Sequence, residues 1–254
     1  MSRKNTSRSA DTAFYVHPSS ISDEALILDG ENFHHAVHVL RQQEGSKLTV
    51  VDGLGTRYHA VLERIDKRQA ICAIESRDRS AFETASQIRL GVGLTKSKDR
   101  FEVLVEKAVE LGVTELVPLR STRVQGRGIR EDRLNRIAVA AMKQSGRTRL
   151  MNIVPTQTVS GFAEGGSGWL KLVLSQHENS RAIVELLSAE SEVGDCVLAI
   201  GPEGGFTPDE EEDLVARGFL RASLGEARLR TETAAIASVS IVSQFANARY
   251  FLDK

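Results

Sequence analysis

The chain has too few cysteines for a disulfide framework: Cys72 and Cys196 are the two in 254 residues. Each sits in an apolar, strand-like run, where a small buried hydrophobe in a reducing compartment is expected. No stretch approaches the ~18 consecutive apolar residues of a membrane-spanning helix. The first twelve residues carry charge but no apolar core, so they read as a disordered tail and not as a secretory signal. A cytoplasmic protein is expected. What is present, 41% hydrophobic and 26% charged residues, is an ordinary globular mix. The length suits one large domain or two smaller ones.

Net charge is nearly absent as well, at -1, but it is unevenly spread. Residues 1–85 hold 11 Lys and Arg against 12 Asp and Glu; residues 86–155 hold 14 against 7; residues 156–254 hold 8 against 15. The basic middle is either an electrostatic footprint for nucleic acid or a counterweight to the acidic C-terminal part. Candidate phosphate contacts are Arg41, Lys96, Lys98, Arg120, Arg123, Arg127, Arg130 and Arg147.

Periodicity changes along the chain. Strands are expected at Leu48–Val51, Tyr58–Leu62 and Gln69–Ile74, the first two joined by a glycine-bearing hairpin loop. A short helix is expected over Glu31–Leu40, and the polar stretch Arg77–Ser86 reads as a boundary. Beyond it, strand Ile88–Leu94, helix Asp99–Leu111 and strand Glu115–Leu119 read as a parallel βαβ unit. Helix Asp132–Gln144 follows, then a flexible loop over Gly161–Gly168. Strand Leu170–Leu174, helix Ala182–Ser188 and strand Cys196–Ile200 continue the alternation. Thr207-Pro208-Asp209-Glu210 has the form of a capping box. Strand Phe219–Leu224 and a helix over about Thr233–Arg249 complete the chain. The expected organisation is a tail (1–12), a small β-barrel domain (13–85) and an α/β domain (86–254).

Two strand-to-helix loops stand where open α/β sheets bind ligands. One is Ile200, Gly201, Pro202, Glu203, Gly204, Gly205 and Phe206; the other runs from Leu224 and Gly225 through Leu229, Arg230 and Thr231 to Ala234. Neither has the spacing of a dinucleotide fingerprint or a phosphate loop. Gly204→Val is expected to abolish ligand binding by blocking close approach to the backbone. His34 and His38 lie one helical turn apart, but no third ligand follows at diagnostic spacing, so no metal is expected. Ser175 and Ser240 lack the setting of a nucleophile elbow. In the last helix Ile236, Val239, Ile241, Val242 and Phe245 offer more apolar surface than one sheet face needs, so part is expected to meet a second subunit.

Several segments together resemble the RsmE family of 16S ribosomal RNA uridine N3-methyltransferases, in the SPOUT superfamily. They are His35–Arg41, Lys107–Val113, Ala140–Arg147, Ile200–Phe206 and Leu229–Ala234, in that order and spacing. The resemblance implies a PUA-like barrel before an α/β domain with a deep trefoil knot. It implies S-adenosylmethionine bound by the loops 200–205 and 224–231, with Leu174 beside them, and a homodimer whose C-terminal helices pack at the active site. Methylation of a uridine in 16S ribosomal RNA is then the expected activity, without metal. Arg230 is expected to stabilise charge on the uracil, and Glu203 to contact the nucleotide or accept a proton. Arg228 stands where many relatives carry an apolar residue, and Ala227 where they often carry arginine. A SPOUT enzyme acting on another RNA and a non-catalytic RNA-binding factor remain open alternatives.

Overall fold

The structure is a computed structural model and describes residues 13–79, 83–123, 128–190 and 194–252. Two compact units emerge, one from residues up to Glu83 together with Met142–Leu150, the other from Thr84–Ala141 together with the residues from Met151 onward.

In the first unit β1 (Phe14–Tyr15), β2 (Ala25–Asp29), β3 (Lys47–Val51), β4 (Thr56–Ile65) and β5 (Gln69–Arg79) form one sheet in the order β1-β3-β4-β5-β2. All pairs are antiparallel except β1 with β3. Alternation gives each strand one inward row: Leu48 and Val50, Tyr58, Ala60 and Leu62, Ala70 and Cys72, Leu26 and Leu28. These rows meet Phe33 and Ala36 of a helical segment, α1 (Gly30–Phe33) continuing as a wider turn over His34–Val39. Leu40 N–H reaches back five residues to the His35 carbonyl, at 2.9 Å. The short β1 and the nearly all-apolar β2 lacked a legible period. The stretch expected to be a boundary from Arg77 is instead strand as far as Arg79.

The second unit is built on parallel strands in the order β11-β13-β10-β12-β6-β7-β8, with β9 also on β7. In chain order they are β6 (Ile88–Gly93), β7 (Glu115–Arg120), β8 (Asn152–Ile153), β9 (Gln157–Thr158), β10 (Leu170–Leu174), β11 (Arg181–Ala182), β12 (Cys196–Ile200) and β13 (Leu220–Ser223). The expected βαβ unit is present. Its helix, α2 (Lys98–Leu111), is capped by Ser97, buries Phe101, Leu104, Val105 and Ala108, and stops at Gly112 with φ 91°. Helix α3 (Glu131–Ser145) buries Leu134, Ala138, Ala141 and Met142.

The segment expected to be a loop from Gly161 is helical at its start. Thr158 caps α4 (Val159–Ala163) by accepting the Gly161 N–H at 3.1 Å, and Val159, Phe162 and Ala163 fill the core. Then come α5 (Ile183–Ala189), α6 (Pro208–Ala216) and α7 (Thr231–Leu252). Thr207 and Glu210 form the foreseen capping box at α6, with bonds of 3.2 and 2.9 Å.

Val239 and Val242 of α7 are buried within their own unit, so they belong to its core and are not free for a second subunit. Ile236, Ile241 and Phe245 stay half-buried. Burial pushes the Cys72 thiol up to about 11 and the Cys196 thiol up to about 12, as expected of packing residues. Among the described residues no helix is long and apolar enough to cross a membrane.

Candidate active site

The carboxyl ends of β10, β12 and β13 open into a cavity of about 410 Å3. Leu174 and Ile200 end two of the strands and give it apolar walls; Leu224 and Leu229 add to them from the loop after β13. Gly201, Pro202, Glu203, Gly204 and Gly205 line one side, and Gly225 and Thr231 another. Every residue expected at the cofactor is therefore on the cavity wall except Arg230. That residue is exposed beside it, and its carbonyl accepts the Ala234 N–H at the start of α7.

The two loops are joined by short-range chemistry. The buried Thr231 hydroxyl donates to the Gly201 carbonyl at 3.1 Å. The Arg228 guanidinium donates to the Glu203 carbonyl at 3.1 Å, so the residue that departs from the family pattern ties one loop to the other. The Glu203 carboxylate accepts the Lys96 N–H at 3.0 Å, which fixes the loop after β6. Behind the glycines, Arg123 donates to the carbonyls of Gly204 and Phe206 at 2.9 and 3.2 Å.

A polar end is formed by residues the sequence did not single out. Glu211 accepts from the Ser175 hydroxyl at 2.8 Å and from Arg221 at 2.7 Å, and Arg221 also pairs with Glu212. Only proximity in the fold joins them, because they come from β10, α6 and β13.

Within this loop Gly201 is the glycine that the protein's own main chain encloses. A Cβ on Gly201 would stand 2.7 Å from the Phe206 nitrogen and 2.9 Å from the Gly205 carbonyl carbon, all backbone. At Gly204 the nearest atom would be the Arg123 Cβ, at an ordinary 3.4 Å.

The expected phosphate contacts fare differently. Arg41, Lys96, Lys98, Arg120 and Arg130 are exposed, while Arg127 lies outside the described residues. Arg123 is exposed too, with one guanidinium nitrogen, Nη1, on the glycine-loop carbonyls. Arg147, at 9% exposure, points into the first unit and pairs with Glu83 at 3.2 Å. Burial holds its guanidinium below the ordinary range while Glu83 pulls the other way. A buried, paired guanidinium is not presented to RNA, which corrects the expectation for this residue.

The cavity suits S-adenosylmethionine. Its volume falls in the range of small-ligand sites, and Leu174, Ile200, Leu224 and Leu229 give it apolar walls beside a loop of three glycines. Among the described residues no cluster of three or more His, Cys, Asp and Glu is placed to hold a metal.

A family model for an RNA methyltransferase domain matches residues 82–243, and one for an RNA methyltransferase PUA domain matches residues 28–75. The ribosomal RNA small subunit methyltransferase E of Synechocystis sp. is 30% identical over 223 residues, covering 86% of this chain and 73% of that protein. A methyltransferase from Legionella pneumophila, solved with S-adenosylmethionine bound, aligns with a TM-score of 0.78 at 30% identity, over 94% of this chain and 97% of that one. The ribosomal RNA small subunit methyltransferase E of Neisseria gonorrhoeae, also solved bound to S-adenosylmethionine, gives 0.77 at 29%, over 90% and 95%. The chain belongs to the RNA methyltransferase family, among the ribosomal RNA small subunit methyltransferases E.

Proposed function

We propose that the protein transfers a methyl group from S-adenosylmethionine to N3 of a uridine in 16S ribosomal RNA of the small subunit. The observation that carries this reading is the cavity walled by Gly201–Phe206 and the 224–231 loop and stitched by Thr231 and Arg228. S-adenosylmethionine bound there supplies a sulfonium methyl, already a good electrophile, so the chain's task is to aim one nitrogen in line with it. Thr231 and Arg123 hold the loop carbonyls and so fix the shape of the adenosyl site. The uracil N3 proton leaves to a base or to solvent as the methyl arrives, and the developing negative charge calls for a cation. Arg230 fits that role: it is exposed at the cavity's edge, and no described residue pairs with its guanidinium. Glu203 has one carboxylate oxygen committed to Lys96, which favours positioning over proton transfer.

The target base must leave its stack to reach such a site. The exposed Arg41, Lys96, Lys98, Arg120 and Arg130 are the proposed phosphate contacts, residues 13–85 the RNA-binding domain, residues 86–254 the catalytic one apart from the segment Met142–Leu150 that packs with the first unit, and the cytoplasm the location. A deep knot fits the topology. β13 lies outside β10, yet α7, which follows it, packs on β12, β6 and α2. The 224–231 loop must carry the chain past β10, bonded to Gly201 and Glu203 on the way. The apolar Ile236, Ile241 and Phe245 support a homodimer through α7.

Mass spectrometry of 16S ribosomal RNA from a strain lacking this protein tests the reading, which requires loss of one N3-methyluridine. Arg230→Ala is expected to lower single-turnover methylation by at least tenfold with cofactor affinity unchanged, because its partner is the uracil. Normal turnover would remove the role. Phe245→Asp is expected to give monomers by sedimentation, with activity falling in step. A fully active monomer would exclude a shared site.

A further inference from the structure

The first unit contains an arginine that neither the basic segment's candidate contacts nor the cavity accounts for. Arg149 lies in the segment Met142–Leu150 that packs within this unit, against the tip of the β3–β4 hairpin. The Gly55 N–H donates to the Thr148 carbonyl at 3.1 Å, and the Leu150 N–H to the Gly53 carbonyl at 2.9 Å. Bridges from Arg149 to Gly53 and Leu54 complete the clamp. The hairpin tip is itself fixed by the buried Asp52. Its carboxylate accepts the N–H groups of Leu54 and Thr56 at 2.7 and 3.0 Å, and the Tyr58 hydroxyl at 3.2 Å.

Gly55 explains what this clamp is shaped for. A Cβ there would stand 3.2, 3.3 and 3.3 Å from Nε, Cζ and Nη2 of Arg149. Three nearly equal distances to three atoms of one plane place that point over the guanidinium's face, not its edge. The guanidinium therefore lies flat on bare glycine backbone, at a position whose φ of 111° also favours glycine. Arg149 is exposed, and its side chain makes no hydrogen bond or ion pair with any described residue. Beside it Leu54 is 65% exposed, the most exposed of the large hydrophobic residues described.

We propose that Arg149 and Leu54 form a stacking platform for an unpaired RNA base. A planar cation with one face backed by protein and the other open offers a base both π-stacking and charge, while its free N–H groups reach the adjoining phosphate. RNA is the occupant favoured here because the platform lies in the unit matched by the RNA methyltransferase PUA domain model. This inference rests on the proposed RNA-methylating function and adds a contact to it, in a unit separate from the cofactor cavity.

The test uses the full-length protein and two labelled single-stranded RNA oligonucleotides, one complete and one abasic along its length, with binding read by anisotropy over a salt series. Arg149→Lys keeps the charge and loses the plane. It is expected to weaken binding of the complete strand roughly tenfold, with the abasic strand and the salt slope unchanged. Arg149→Ala is expected to show the same loss and a slope lower by about 0.7. Leu54→Ser, at an exposed position, is expected to weaken the complete strand alone. Binding by Arg149→Lys equal to the unaltered protein, or equal losses on both strands, would overturn the platform. Methylation of 16S ribosomal RNA by the unaltered protein is assayed in parallel. No transfer there would overturn the proposed function, whereas transfer with an unaffected Arg149→Lys variant would overturn the platform alone.

Discussion

Gly201→Ala is expected to abolish S-adenosylmethionine binding, with no heat detected by calorimetry at cofactor concentrations that saturate the unaltered protein. The added methyl would stand 2.7 Å from the Phe206 nitrogen and 2.9 Å from the Gly205 carbonyl carbon. Both are main-chain atoms, so neither can swing aside as a side chain would. Relief requires the whole Gly201–Phe206 turn to shift. That turn is held by Thr231 at the Gly201 carbonyl and by Arg123 at the carbonyls of Gly204 and Phe206. Movement therefore breaks the bonds that shape the cavity wall. Gly204→Ala is the control. Its methyl would meet the Arg123 Cβ at 3.4 Å, and affinity is expected to fall no more than severalfold. Normal binding by Gly201→Ala would show that the turn yields to the methyl, and loss at Gly204→Ala alone would place the cofactor's close approach at Gly204. A second unit, the one that carries Gly201, that still unfolds cooperatively in urea separates loss of binding from loss of fold.

The parts of this fold that were legible in the sequence are those whose cause is local. The exact bounds of Leu170–Leu174 and Cys196–Ile200 follow from short apolar runs between turn residues. The Thr207–Glu210 box and the Gly112 stop are chemistry within one helical turn. Strand β2 was missed because Ala25-Leu26-Ile27-Leu28 shows no period, and β11 because two residues carry none.

Within the site, the two glycine-bearing loops were visible as loops. Their stitching was not: Thr231 meets Gly201 across 30 residues, and Arg123 meets Gly204 across 81. The enclosure of Gly201 was not visible either, because sequence gives the number of glycines in a turn but not which faces another backbone. Arg147 failed as a phosphate contact for a similar reason. Charge is legible in sequence, but the side of the chain that meets Glu83 is not.

Glu83→Ala is expected to destabilise the first unit by about 3–5 kcal/mol, the cost of breaking a buried ion pair from one side. One carboxylate here gathers four donors from three consecutive residues. Oε1 accepts the Thr148 N–H at 2.6 Å, the Thr148 hydroxyl at 2.9 Å and the Arg149 N–H at 2.9 Å, while Oε2 accepts from Arg147 at 3.2 Å. Thr148 is wholly buried, and the side chains of Arg147 and Glu83 are only 11% and 10% exposed. Water cannot easily replace the lost oxygens, so two main-chain donors and a hydroxyl forfeit an acceptor as Arg147 loses a carboxylate. Glu83→Gln keeps one acceptor oxygen in nearly the same shape but no charge, and about half the loss is expected. Urea unfolding followed by fluorescence and circular dichroism measures both. The loss should fall in the transition of the first unit, because Glu83 and residues 147–149 all belong to it. Out of a domain's typical stability of about 5–15 kcal/mol, such a loss would bring the midpoint down by roughly a fifth or more. A midpoint unchanged in Glu83→Ala would mean that the segment Arg147–Arg149 is held by its packing on the hairpin alone, and that the carboxylate's four bonds add nothing net.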